Sequence, residues 1–242
     1  MKKMVFFLPL SILFTQACLQ SRTGSKPKQK IVWQPSHQTD TGKDFSEAAT
    51  CNAIVEAAMQ TQPSLREYKV WSLGRSGYHH TDSGSNTKIA HTSAVMDGLI
   101  SGYAYELAES NKKKPQVFIA VHNNGGTNRN AVWGYIHYGD PNEMHNRELA
   151  GRLVKAICVV TDMENRGVLL DSTTGRNDYR CATTGKLSFY SLDENVNSAP
   201  YRVLLEIGDN AASRALLTNP IQQKIIGTAI KKELVAWLRE RK

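Results

Sequence analysis

From Ile31 to Arg241 the chain alternates short apolar, β-branched runs with longer stretches whose apolar residues recur three and four positions apart. A strand must be followed by a crossover, usually a helix, before the next strand can lie parallel to it, so this alternation confines the chain to the α/β class. The predicted architecture is one domain with a largely parallel, roughly six-stranded twisted sheet and helices on both faces. Strands are predicted at Ile31–Trp33, Tyr68–Leu73, Gln116–Val121, Gly134–Tyr138, Leu187–Tyr190 and Arg202–Ile207, and helices at Asp44–Gln60, Lys88–Ser110, Asn142–Asp162 and Pro220–Arg241. In open sheets of this kind ligands collect beyond the carboxyl ends of the strands, so chemistry is to be sought there.

The first 30 residues follow a different pattern. Lys2 and Lys3 precede an apolar run, Met4 to Phe14, and Thr15-Gln16-Ala17 offers a small-x-small cut before Cys18. Eleven apolar residues broken by Pro9 fall short of the roughly 20 that span a bilayer, so 1–17 reads as an export signal. Cys18 resembles a lipoprotein acceptor, which leaves two outcomes open: a protein anchored to the membrane through a lipid on Cys18, in the periplasm or at the cell surface, or a secreted one. Residues 18–30, polar and broken by Gly24 and Pro27, read as an anchor or tether segment, and 31–242 as the folded domain. Cys51, Cys158 and Cys181 permit at most one disulfide and match no zinc-finger spacing, and Cys51 and Cys158 read as buried small apolar residues.

Three strand ends carry ionisable groups. His37 stands just after the first strand, His122 ends the run QVFIAVHNNGG, and Glu206 lies inside RVLLEIGDN. Two imidazoles and a carboxylate converging on one rim would make a three-ligand set that leaves a fourth zinc position open to water. Each has an ordinary alternative: a strand-end histidine is commonly satisfied by hydrogen bonds, and Glu47, at a helix start, suits the helix dipole. Glu206 resists this treatment, because an ionised carboxylate among Leu204, Leu205 and Ile207 is costly without a partner. His79 and His80, in the Ser/Gly-rich stretch Ser76 to Asn86, read as a solvated loop.

With these segments in view the chain resembles the zinc-dependent N-acetylmuramoyl-L-alanine amidases of bacterial cell-wall turnover. IVWQPSHQTDTG is similar to the opening strand and Asp-Pro-Gly-His-Gly-Gly loop of that family, FSEAATCNAIVEA to its first helix, and YKVWSLGR to the next strand. FIAVHNN resembles the Ser-Ile-His-Ala-Asn segment, RELAGRL a Leu-Ala helix, ENRGV the Asn-Arg-Gly-Val motif, and APYRVLLEIGDNAASRALLTNP the terminal Pro-x-x-Leu-x-Glu-x-Gly stretch. The resemblance covers about Ile31 to Leu238. It implies His37, Glu47 and His122 as ligands of Zn2+ and Glu206 as the catalytic carboxylate. Beside it, Asn124, two residues after His122, reads as orienting a ligand or the substrate, and Arg75 and Arg166 as meeting stem-peptide carboxylates or forming structural ion pairs. The chain departs from the family at Gln38 and Thr39, which replace two glycines, at Gly74, which replaces a threonine, and at Asp209, which replaces a phenylalanine.

The expected reaction is therefore hydrolysis of the amide joining the lactyl group of N-acetylmuramic acid to L-alanine by a monomeric enzyme. A zinc peptidase cutting within the stem peptide, and a non-catalytic peptidoglycan-binding lipoprotein, are the alternatives. The formal charge of +8, reduced by two without the leader lysines, suits an anionic wall. Nucleic acid is not an expected partner, since the chain is read as exported and carries no aromatic-basic module.

Overall fold

Alternate residues of the first strand face opposite layers, and this period of two decides how the domain is built. The computed structural model describes residues 29–38, 41–42, 44–71, 95–96, 99–100, 102–174 and 179–241. Residues 1–28, which include the predicted export signal and Cys18, lie outside them, as do Arg75, His79, His80 and the Ser76 to Asn86 stretch. Six strands form one sheet: β1 (Lys30–Pro35), β2 (Arg66–Lys69), β5 (Val117–Asn124), β6 (Ala131–Ile136), β7 (Glu164–Leu170) and β8 (Tyr201–Asp209), in the order β2-β1-β5-β8-β6-β7. β3 (Val95–Met96) and β4 (Leu99–Ile100) pair separately. Four of the sheet's five pairings are parallel and only β6 with β8 is antiparallel, so the α/β expectation holds.

Helices α1 (Glu47–Gln60), α3 (Glu143–Val160) and α5 (Pro220–Glu240) cover one face, with α4 (Arg214–Leu217) leading into α5. Ile31, Trp33, Ile119, Val121, Val203 and Leu205 point that way and pack against Ile54, Leu153 and Ile230. The intervening residues Val32, Phe118, Ala120 and Leu204 point to the other face, where Leu107 of α2 (Gly102–Lys113) and the irregular stretch containing Phe189 and Leu192 cover them. Because β1 and β5 are covered on both sides, their stretches Ile31–Trp33 and Val117–Val121 are fully buried and read as unbroken apolar runs. No helix among the described residues is long and apolar enough to cross a membrane.

Two predicted elements are corrected. Leu187–Tyr190 is not a strand: the Ser188 N–H donates to the Tyr179 carbonyl and the Phe189 N–H to Asp171 Oδ2, which leaves only an isolated bridge from Leu187 to Arg180. The sixth strand is β7 instead, an edge strand whose first three residues are exposed, so neither alternation nor a buried run marks it in the sequence. Of the helix predicted over Lys88–Ser110, residues 88–94 lie outside the described ones, 95–96 and 99–100 form the β3–β4 pair, and the described helix is Gly102–Lys113; the strand predicted at Tyr68–Leu73 is described at Arg66–Lys69, residues 72–73 lying outside.

A tight approach between α1 and α5 fixes the position of α1. A Cβ on Gly227 of α5 would stand 2.3 Å from the Ile54 carbonyl oxygen and 2.8 Å from the Ala58 nitrogen, both backbone atoms that cannot swing aside. Gly227→Ala should therefore force α1 and α5 apart and cost about 1–3 kcal/mol or more. Urea unfolding should show the midpoint falling with an unchanged slope.

Candidate functional site

Parallel pairing of β1, β5 and β8 carries their carboxyl ends to one rim. The strands place His122 of β5 directly opposite Glu206 of β8, and the Ser36 N–H donates to the Val121 carbonyl at 2.9 Å, so β1 ends level with them and His37 follows at once. Glu47 arrives from α1. The loop between them turns back so that the Ala48 N–H donates to the Gln38 carbonyl (2.8 Å) and the Glu47 N–H to Thr41 Oγ1 (2.9 Å), while Ser46 caps the helix through the Ala49 N–H. Glu47, 2% exposed, reaches His122, its Oε1 lying 3.0 Å from Nδ1.

Behind these residues stands a carboxylate that sequence reasoning missed. Glu106 of α2, fully buried, lies 3.1 Å from His37 Nδ1 and accepts from the Gln34 amide. It sits inside a predicted helix 69 residues from His37, and no local pattern distinguishes it from an ordinary inward-facing position. With Nδ1 turned to a carboxylate, the imidazole presents Nε2 as its lone-pair nitrogen. Asn123 was missed as well. Its Oδ1 accepts from Thr50 Oγ1 at 2.5 Å and its Nδ2 donates to the Ile207 carbonyl at 2.8 Å, which ties α1 to β8 across β5 where the ladder shifts register.

Asp209, the departure after Glu-x-Gly, has a structural account. One carboxylate oxygen accepts from the Ala211 and Ala212 N–H groups, and the other from Thr127 and the Asn128 N–H. Desolvation opposes its charge, but these donors outweigh it and hold the carboxyl below its ordinary pKa. The bonds fasten the loop after β5 to the end of β8. A carboxyl depressed in the folded state stabilises fully above its unfolded pKa and loses that contribution as pH falls through the folded value. Asp209→Asn should thus cost about 1–3 kcal/mol at neutral pH, and the gap from wild type should close in acid denaturation.

The rim opens into a cleft of about 690 Å³, within the range of small-ligand sites, lined among others by Gln38, Glu47, His122, Asn124, Tyr135 and Glu206. Burial, with the nearby charge of Glu206, pushes the Tyr135 phenol up to about 12, so it stays neutral in the cleft. Cys51, fully buried, has its thiol pushed up by desolvation and by Glu47 and Glu206, which makes it inert as a nucleophile. Cys158 is half-buried, and all three described cysteines are free. His122 Nε2 is buried without a hydrogen bond. Of the other predicted groups, Asn124 lines the cleft, whereas Arg166 is not among its lining residues and lies on the edge strand β7, its Nη1 2.8 Å from Glu164. Arg75 is outside the described residues.

Comparison with known proteins bears on the family and the fold. The family model of N-acetylmuramoyl-L-alanine amidases matches residues 82–236, a span that includes His122 and Glu206 but not His37 or Glu47. Among solved structures, the chain is similar to the N-acetylmuramoyl-L-alanine amidase of Clostridium difficile 630, at 13% identity and TM-score 0.61 over 90% of this chain and 100% of that one. It is also similar to Ami1 of Mycobacterium abscessus (14%, 0.59, covering 87% and 98%) and to the catalytic domain of CwlV from Bacillus (Paenibacillus) polymyxa var. colistinus (15%, 0.56, covering 87% and 98%). Likeness at such identities speaks for the fold. No curated protein sequence matches the chain.

Proposed function

The chain belongs to the N-acetylmuramoyl-L-alanine amidase family, and from that premise we propose that the cleft at the β1–β5–β8 rim is a zinc site for hydrolysing the bond between the lactyl group of muramic acid and L-alanine. The observation that carries this reading is the buried approach of Glu47 to His122 Nδ1, in a cleft that both line together with Glu206. A carboxylate and an imidazole nitrogen held 3.0 Å apart out of water are two donors that one cation can share. Two imidazoles with one carboxylate are a donor set that suits zinc, and His37, Glu47 and His122 would hold it. The Glu106 carboxylate behind His37 supports this, being the kind of outer partner that fixes the ring of a metal-binding histidine.

When bound, zinc would supply Lewis-acid polarisation of the scissile carbonyl and a more acidic water. Glu206 takes a proton from the attacking water on its carboxylate and returns it to the departing α-amino nitrogen of L-alanine, so the amine leaves neutral. Tyr135, its hydroxyl kept protonated, and Asn124 supply neutral polar contacts along the wall of the cleft. Peptidoglycan lies outside the cytoplasmic membrane, which agrees with an export signal over 1–17 and an anchor or tether over 18–30. Mass spectrometry of peptidoglycan digested by the purified chain tests the assignment: free stem peptides beginning at L-alanine are expected, and fragments cut within the stem peptide would replace it with the peptidase reading.

A further inference from the structure

His137 follows β6 and so sits at the opposite end of β8 from Glu206, because β6 runs antiparallel with Trp133 opposite Glu206 and Tyr135 opposite Leu204. There His137, Cys181 and Asp193, all buried, bring one ligand atom each within 4.8 Å of one another. The three come from separate places along the chain. Asp171 Oδ2 lies 2.7 Å from His137 Nδ1 and also accepts from Ser188 Oγ, and Tyr179 donates to Asp193. On the other side of the ring Nε2 faces Glu194 Oε2 at 3.2 Å, yet both atoms are buried and neither makes a hydrogen bond.

An imidazole, a thiol and a carboxylate within 4.8 Å of one another, with the Glu194 carboxylate beside the imidazole, combine soft and hard donors in the way that suits zinc above the alkaline-earth ions. The contact of Nδ1 with Asp171 leaves Nε2 as the nitrogen available to a ligand, the same relation that Glu106 has to His37. Charge points the same way: Asp171 and Glu194 lie against the ring with Asp193 close by, and Arg202, 3.9 Å from Glu194, is bound to Asp140. We propose that His137 Nε2, Cys181 Sγ, Asp193 and Glu194 form a second, structural zinc site. With four protein ligands such a site is closed to water and serves the fold. It would clamp the 179–199 excursion to the end of β6, and that excursion carries Phe189, a wall of the cleft at the other rim.

Zinc analysis of the full chain after saturation and dialysis should find about two ions per chain. Cys181→Ser should lose about one and keep the other, and His122→Ala should do the reverse. In the cobalt-substituted chain a near-ultraviolet thiolate-to-metal band is expected. It should persist in His122→Ala, which excludes Cys51 as its source, and vanish in Cys181→Ser. The comparison of wild type with His122→Ala does not require Cys181→Ser to fold, so a band present in both supports the site even if that variant is lost. A folded cobalt protein without a thiolate band, or a zinc content unchanged in folded Cys181→Ser, would overturn the proposal and leave the cluster as a hydrogen-bonded network about His137. Loss of zinc from the rim site alone would instead strike at the amidase mechanism.

Discussion

Glu206→Gln should leave the fold and the zinc at the rim intact while hydrolysis of muramoyl–L-alanine amides falls about 10²–10⁴-fold, the usual worth of a positioned general base. The amide has nearly the volume of the carboxylate, so Leu204, Leu205 and the facing His122 keep their packing. It cannot take a proton from water near neutral pH. Glu206 is only half-buried and lines the cleft, and it lies 84 residues from His122 on a separate strand, so nothing but the parallel pairing of β5 and β8 brings the two together. Activity within a few-fold of wild type would remove Glu206 from the reaction. Loss of zinc in this variant would make it a ligand, and the base would then have to be another group in the cleft.

His122→Ala and His37→Ala should each remove both zinc from the rim and nearly all hydrolysis, a larger effect than that of Glu206→Gln because the chemistry as well as the proton transfer goes. The second-layer residue separates ligation from positioning. Glu106→Gln keeps the shape around His37 and Gln34 but weakens the charge-assisted contact to Nδ1, so zinc affinity should fall about 10–100-fold, with turnover recovering at saturating zinc. Metal titration followed by rate measurement checks this. Were Glu106→Gln to bind zinc as tightly as wild type, the contact between His37 and Glu106 would be packing alone.

Residue order alone made the layer architecture legible and pointed to the strand ends as the place to look for chemistry. Alternation of apolar runs with helical periodicity is local, and β1 and β5 are covered on both faces, so the hydrophobic pattern alone reveals them. Glu206 was conspicuous for the same local reason, as a carboxylate inside an apolar run. β7 escaped because an exposed edge strand needs no buried face, and Leu187–Tyr190 misled because its backbone donors are taken by the Tyr179 carbonyl and Asp171 rather than by a neighbouring strand. Only the tertiary structure decided which polar groups meet. Glu106 reaches His37 across 69 residues, Asp209 gathers donors from a loop about 80 residues earlier, and Cys181 and Asp193 come to His137 from a segment that shows no regular pattern. Hydrophobic burial is nondirectional and leaves its mark in residue order, whereas a hydrogen bond or a ligand set depends on distances of a few ångströms that exist only once the sheet has been closed by its helices.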